Sequence, residues 1–345
     1  MTTAMGELLD INAPLQEHPQ SAKGRGGSAP IAGADRVFRL VAVASGVVLL
    51  LITSMIGIFL TFRAAEALHK SGFSFLTTAA WNPDGNHFGI KAILLGTVLI
   101  AGVALLFAIP LSIGTALYLS EYAPLRLRRA LISLVDLMAA VPSVIYGLWG
   151  FFFLQGHVLG LSRWLSTYFG WLPFFRVDGP DPKDPLSSTS FYTSSSFIAG
   201  LVVSLMVTPI ATSVIREVFS QAPLGEREGA FALGATRFGM IRSVVLPFGR
   251  GGIIGGIMLG LGRALGETIA VVLIISPIYA LQPHVLQGGT SSISSLIALK
   301  FGEASAFSTS ALMAAGLALF LITLVINFGA SIVVARSRSG ASSEA

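Results

Sequence analysis

Six stretches of this chain are long and apolar enough to cross a lipid bilayer, and no soluble fold has room to hide them all. A spanning helix needs roughly 20 mostly apolar residues, and the runs 40–62, 93–119, 131–153, 197–215, 252–275 and 310–334 meet that requirement. Each run is apolar all round rather than along one stripe, as suits a helix among lipid and protein neighbours. Composition agrees: 53% of the 345 residues are hydrophobic and 11% are charged, against about 25% charged in a typical soluble domain. The expected fold class is an all-α integral membrane bundle of six transmembrane helices, occupying residues 38–336. The first run starts too late, is too long and lacks a small-residue cleavage site, so it reads as an anchor and not as a removable signal peptide.

Charge sets the orientation. With six spans both termini lie on one side, and that side collects fourteen of the 22 Lys and Arg residues. The other side collects seven on longer loops, and Arg263 falls inside a run. An excess of Lys and Arg marks the cytoplasmic side, so both termini are expected there. The formal net charge of +5 then reads as an orientation signal, and no nucleic-acid partner is expected. Absence of cysteine excludes disulfides, thiolate metal sites and cysteine nucleophiles. The five histidines show no ligand spacing for a metal and no nucleophile and base stand together, so no catalytic residue is expected and the chain does not read as an enzyme.

Residues 1–37 are polar, rich in Gly and Pro and aperiodic, the composition of a disordered cytoplasmic tail, and 337–345 form a second, short tail. Residues 154–196 form the longest outward connection. Trp164, Tyr168, Trp171 and Phe174 suit its first half to the membrane interface, as an inert hairpin or as a docking surface.

The inward connection 217–250 is not composed like a linker. Small residues at 229, 230, 232, 234, 235 and 239 alternate with Phe231, Leu233, Phe238, Met240 and Ile241. Small residues let another backbone approach, large apolar ones fill a groove, and Gly234 or Gly239 can end one short helix and start the next. The segment reads either as a helix-turn-helix knob for a partner protein or as an amphipathic helix lying on the headgroups.

Within this segment Glu228, Gly229, Ala230, Gly234, Val244, Leu246 and Pro247 resemble the EAA motif of bacterial ABC importer permeases, with Gly229 standing where that family usually has Ala. The resemblance implies that 217–250 is the cytoplasmic coupling loop, received in a cleft of a separate ATPase subunit. No phosphate loop of the Gly-x-x-x-x-Gly-Lys-Ser/Thr form occurs in the chain. ATP and its Mg would therefore be bound by the partner ATPase, and no cofactor is expected here.

The fifth run holds Arg263 near its middle and Glu267 four residues later. A central Arg costs at least about 2.5–3.5 kcal/mol to insert, so it needs a reason. Residues i and i+4 share a helix face, and Glu267 is expected to pair with Arg263. Gly255, Gly256, Gly260, Gly262 and Gly266 would offer a small-residue surface to a neighbouring helix. The pair is either a packing device or a substrate path. A guanidinium binds an oxyanion bidentately, and a carboxylate beside it can take a proton from hydrogen phosphate.

The stretch Gly260, Gly262, Arg263, Gly266, Glu267 and Thr268, following the EAA segment, is similar to the PstC-type permeases of bacterial high-affinity phosphate ABC importers, a resemblance covering about residues 36–336. It implies a type I importer bundle in the bacterial inner membrane, with Arg263 and Glu267 on the phosphate path. It also implies four kinds of neighbour: a homologous second permease, two copies of the ATPase, an extracytoplasmic phosphate-binding protein and membrane lipid. A permease for another small oxyanion and a stand-alone secondary transporter remain as alternatives. The latter would show internal repeats or broken helices. Asp136 reads as a helix-start carboxylate, and the hydroxyl-rich stretch 288–295 as an interfacial turn or an oxyanion nest.

Overall fold

The computed structural model describes residues 33–179, 181–184 and 186–338. Ten helices and one small hairpin organise these residues. They are α1 (Gly33–Ser71), the strands β1 (Trp81–Asn82) and β2 (His87–Phe88), α2 (Lys91–Leu117), α3 (Leu125–Ala140), α4 (Ser143–Phe169), α5 (Ser196–Ser220), α6 (Leu224–Ala232), α7 (Arg237–Gly266), α8 (Ile269–Ile274), α9 (Ile293–Lys300) and α10 (Ala306–Arg338). Six of them are long and apolar enough to span a membrane: α1, α2, α4, α5, α7 and α10.

The chain separates into two compact units, Met1–Ser54 and Met55–Ala345. In the first, the described residues are the opening turns of α1, whose Val37, Leu40, Leu49 and Leu50 are exposed. Of the tail expected at 1–37, residues 33–37 are already helical, and 1–32 lie outside the described residues. At the other end α10 runs to Arg338, so of the expected tail at 337–345 only the part beyond 338 lies outside them.

The second unit is the helix bundle. Its centre is the packing of α5 against α2 and α7. On α2, Val103 lies against Gly200, where an added Cβ would come within 2.5 Å of the valine Cβ. On α7, Gly249, Gly252, Gly256 and Gly260 fall at three- and four-residue spacing, one face of a helix. Cβ atoms built there would meet Phe219, Val218, Ile215 and Val207 of α5 at 2.3–2.9 Å. Between apolar helices in lipid the hydrophobic effect supplies little, so close backbone approach and dispersion hold the pair. Of the five glycines expected to pack, Gly256 and Gly260 do, while Gly255, Gly262 and Gly266 have nothing within 4 Å; Gly249 and Gly252 complete the face.

Three helix boundaries depart from the hydropathy reading for local reasons. The expected span 131–153 is cut, because Val141 and Pro142 are extended (ψ 129° and 140°), the conformation a residue before proline prefers. The span is instead α4, which carries on beyond a π-turn at Gly150–Leu154. Val158, Ser162 and Ser166, buried at four-residue spacing, keep it helical through part of the expected outer loop, leaving 170–195 as the connection. The expected span 252–275 ends at Gly266, because Glu267 is extended (ψ 125°) and a separate helix, α8, follows. Finally, the expected inward loop 217–250 shrinks to 221–236, since α5 persists to Ser220 and α7 begins at Arg237.

The connection 170–195 is folded against the segment after α8. Val285 N donates to Phe174 O at 2.9 Å, Gly288 N donates to Phe191 O at 2.9 Å, and the Asp178 carboxylate lies 3.1 Å from Arg176 Nε and 3.5 Å from His284 Nδ1.

Overpacking the α2–α5 contact separates packing from composition. Gly200→Leu is expected to destabilise the bundle by about 1–3 kcal/mol and lower the unfolding midpoint of the detergent-solubilised protein. Gly102→Leu, on the same helix pair but with nothing within 4 Å, is expected to leave the midpoint unchanged.

Candidate functional site

Two places in the second unit collect the residues expected to act. The first is the break between α7 and α8. Arg263 sits in the last turn of α7, not halfway along a span, and it is exposed. Glu267 is buried, with 8% of its surface exposed. None of the five ion pairs among the described residues includes either residue. The expected Arg263–Glu267 pair is therefore absent. The i to i+4 relation holds only inside a continuous helix, and the chain leaves the helix between the two residues.

Each side chain is held separately. Glu267 Oε1 accepts from Ala270 N at 3.3 Å, so the carboxylate caps α8. Its backbone carbonyl accepts from Ser294 Oγ at 2.7 Å. Arg263 lies near the negative end of its own helix, worth about 0.3–1 kcal/mol, less than the lowest insertion cost for an Arg. On α4, the Tyr146 hydroxyl donates to Met138 O at 2.9 Å. Along α7, Gly255, Leu259, Arg263 and Gly266 form one exposed face. Arg263 thus stands on an exposed, glycine-lined face of a spanning helix with no ion-pair partner among the described residues.

The hydroxyl-rich stretch 288–295 adjoins this place, since Ser294 Oγ donates to the Glu267 carbonyl. Ser292 and Ser295 form a capping box at the start of α9, and Ile293 N donates to Thr97 Oγ1 of α2 at 3.0 Å. Gly96 lets it in, since a Cβ there would stand 2.1 Å from Ser291 O. Irregular backbone at membrane depth is tolerated only where protein buries it or it lines water, and here α2 and Glu267 bury it. Sequence had flagged the hydroxyls, but not that Ser294 joins Glu267 from 27 residues away.

The second place is the inward segment. Pro223 stands just before α6, and Gly234 (φ +84°) ends it. Ala235 N donates to Ala230 O at 3.0 Å and Gly234 N to Phe231 O at 2.9 Å, the paired bonds of a Schellman termination that needs a left-handed residue. Thr236 then caps α7 through Gly239 N. Of the two glycines expected to punctuate the segment, Gly234 does so and Gly239 is helical. Glu228 and Gly229 are exposed and Ala230 is half-buried, as expected of a knob. Leu224, Phe231, Leu233 (90% exposed) and Phe238 stand out beside them.

The rest of the motif lies elsewhere. Val244, Leu246 and Pro247 belong to α7, not to a loop. They fall within and just after a π-turn, Ile241–Val245, where Leu246 N bonds to Ile241 O. Proline offers no N–H to the turn before it, and the wider turn absorbs that loss.

A contact that sequence did not reveal ties this segment to the bundle. Arg227 of α6 lies 3.1 Å from Glu121, which sits in the π-turn Tyr118–Tyr122 that closes α2. The two are 106 residues apart, and no local pattern announces them.

Among the described residues, six candidate spans, a broken helix carrying a cation without an ion-pair partner, and an exposed helical knob between two late spans are the features of a membrane transport component. The family described as the binding-protein-dependent transport system inner membrane component matches residues 108–339. The phosphate transport system permease protein PstC 2 of Mycobacterium tuberculosis is 38% identical over 317 residues, covering 90% of this chain and 95% of that protein. The PstC of Pasteurella multocida is 41% identical over 271 residues, covering 77% and 81%. The fold is shared with a chain of the MetNI methionine ABC transporter in an inward-facing conformation, with TM-score 0.51, 14% identity, and 72% and 95% coverage. It is also shared with a bacterial ABC transporter involved in import of alginate, with TM-score 0.52, 19% identity, and 87% and 99% coverage. The chain belongs to the binding-protein-dependent inner membrane components and, among them, to the PstC phosphate transport system permeases. Broken helices, reserved above for secondary transporters, thus occur in this family and do not separate the two classes.

The two motif glycines are expected to respond in opposite ways. Gly229 has nothing within 4 Å and no positive φ, so Gly229→Ala is expected to stabilise α6 by up to about 1 kcal/mol. Gly234→Ala places a Cβ at φ +84° and is expected to cost about 1–2 kcal/mol. Hydrogen exchange at α6 amides checks both, slower in the first variant and faster in the second.

Proposed function

We propose that this chain is the transmembrane permease subunit of an ATP-driven phosphate importer in the bacterial inner membrane, forming half of the translocation path. The observation that carries the proposal is Arg263, exposed on a spanning helix and without an ion-pair partner among the described residues. An unneutralised guanidinium at such a site needs water or an anion, and phosphate satisfies its fork bidentately. The PstC relatives supply the identity of the anion.

Separation of Arg263 from Glu267 suits transport better than the expected pair does. A paired guanidinium would have to exchange its carboxylate for each phosphate, whereas here it is free to receive one. The nearby buried carboxylate disfavours a fully deprotonated anion and, through proton exchange, suits hydrogen phosphate. Like-charge repulsion also limits how long the anion stays.

The proposed assembly pairs this chain with a homologous second permease, two ATPase copies that hold ATP and Mg on the cytoplasmic side, and an extracytoplasmic phosphate-binding protein, with membrane lipid around the two permeases. Both termini are cytoplasmic. The face of α6 that carries Leu224, Glu228 and Phe231, with Gly229 beside it, docks into the ATPase cleft. Hydrolysis by the partner moves the permease through that contact, and this chain contributes the path and not the chemistry.

Labelled-phosphate uptake in cells expressing the whole operon tests the proposal. Arg263→Gln is expected to lower uptake by about 10–150-fold, the equivalent of 1.5–3 kcal/mol for a lost charged hydrogen-bond pair, with membrane insertion unchanged. Normal uptake by that variant excludes Arg263 from the path. Competition by arsenate but not sulfate is the expected specificity, and sulfate competition points to another oxyanion. Glu228→Lys is expected to reduce both uptake and ATPase co-purification.

A further inference from the structure

The structure assigns a role to the buried pair Glu121–Arg227: it is the strut that carries movement of α6 into the end of α2, needed for coupling and not for holding the ATPase. This inference rests on reading α6 as the docking helix.

Arg227 and Ala230 lie on one face of α6, three residues apart, and turn toward the bundle. Leu224, Glu228 and Phe231 lie on the other and are exposed. Arg227 is therefore spoken for by its own chain. Its side chain is 17% exposed and that of Glu121 is 6% exposed. Nη1 lies 3.1 Å from Glu121 Oε1 and 3.3 Å from Oε2, while Nη2 donates to Phe219 O in the last turns of α5 at 2.5 Å. One guanidinium thus fastens α6 to the ends of both α2 and α5. Beside it, Arg237 at the start of α7 lies over the Tyr122 ring, 5.3 Å from its centroid. Both α6 and α7 thus reach two adjacent residues of the π-turn that closes α2, and α5 is fastened to the same Arg227.

Stability alone does not account for such a pair. A buried ion pair is often no better than well-packed apolar side chains of similar volume. What it provides that apolar contact does not is a directional link that cannot slide. The helix ends it joins also have room to move. Tyr118–Tyr122 of α2 and Ile241–Val245 of α7 are both π-turns, in which the backbone bonds one residue further along than in an α-helix. Such a turn can exchange one bonding register for another while keeping its hydrogen bonds, and single π-turns are frequent at functional sites. A displacement of α6 by the ATPase would pull Glu121 through Arg227 and reach the α2–α5 contact at the centre of the bundle.

The test uses the full importer, purified and reconstituted in proteoliposomes, with three readings: ATPase co-purification, ATP hydrolysis with and without phosphate-loaded binding protein, and phosphate uptake. Glu121→Gln and Arg227→Lys both preserve size, and Arg227→Lys also keeps the charge while losing the fork that reaches two partners. Both are expected to co-purify the ATPase at the wild-type level and hydrolyse ATP without stimulation. Both are also expected to lose uptake by about tenfold, within the range of a 1–3 kcal/mol coupling energy. Uptake within twofold of wild type in both overturns the inference. Loss of ATPase co-purification also overturns it, because the pair would then merely support the docking surface. Should Glu121→Gln fail to reach the membrane, Arg227→Lys decides by the same criteria. Failure of the wild-type chain to bring down an ATPase would instead refute the reading of α6 itself.

Discussion

Close approach of α7 to α5 is the contact on which the rest of the bundle depends. Lipid tails are as apolar as the side chains they would replace, so helices here do not associate by escaping water. They associate because Gly249, Gly252, Gly256 and Gly260 remove side chains from one face of α7 and let Phe219, Val218, Ile215 and Val207 fill the space. The same device recurs where α4 meets α8. Cβ atoms at Gly147 and Gly150 would come within 2.5–3.0 Å of Ala270, Leu273, Ile274 and Val202. Committing one glycine face of α7 to packing leaves another, with Gly255, Gly262, Gly266 and Arg263, open.

That division of one helix into a packed and an open face places the chemistry. Arg263 rides on the open face, and the break at Glu267 turns the carboxylate inward, where it caps α8 and meets Ser294 through its carbonyl. Had the helix continued, Arg263 and Glu267 would have neutralised each other on one face. The break leaves two separate groups, an exposed cation and a buried carboxylate. At the opposite end of α7, the π-turn that accommodates Pro247 adjoins the inward segment, so one helix connects the exposed knob to the face that carries Arg263.

How much was legible in sequence differs from element to element. Both halves of the EAA motif were visible, and Gly234 was among the residues expected to end α6, because a left-handed termination has a local residue signature. The third span was misplaced because a hydropathy window averages over Pro142, and a proline subtracts little apolar character although it breaks the helix. Gly255, Gly256, Gly260, Gly262 and Gly266 were expected to pack, yet only Gly256 and Gly260 of them do, joined by Gly249 and Gly252. Composition shows that a helix has small residues but not which face a neighbour chooses.

By itself the sequence determined the number of spans, the charge asymmetry that orients them, the family motif and the presence of an Arg and a Glu where apolar residues were expected. All of these follow from composition and spacing along a local stretch of chain. Tertiary structure alone decided which glycines of α7 pack against α5, that the 288–295 hydroxyls gather beside Glu267, and that Glu121 meets Arg227. These are contacts across tens to hundreds of residues, made through backbone approach and burial, and such contacts leave no periodic trace in the segments that form them.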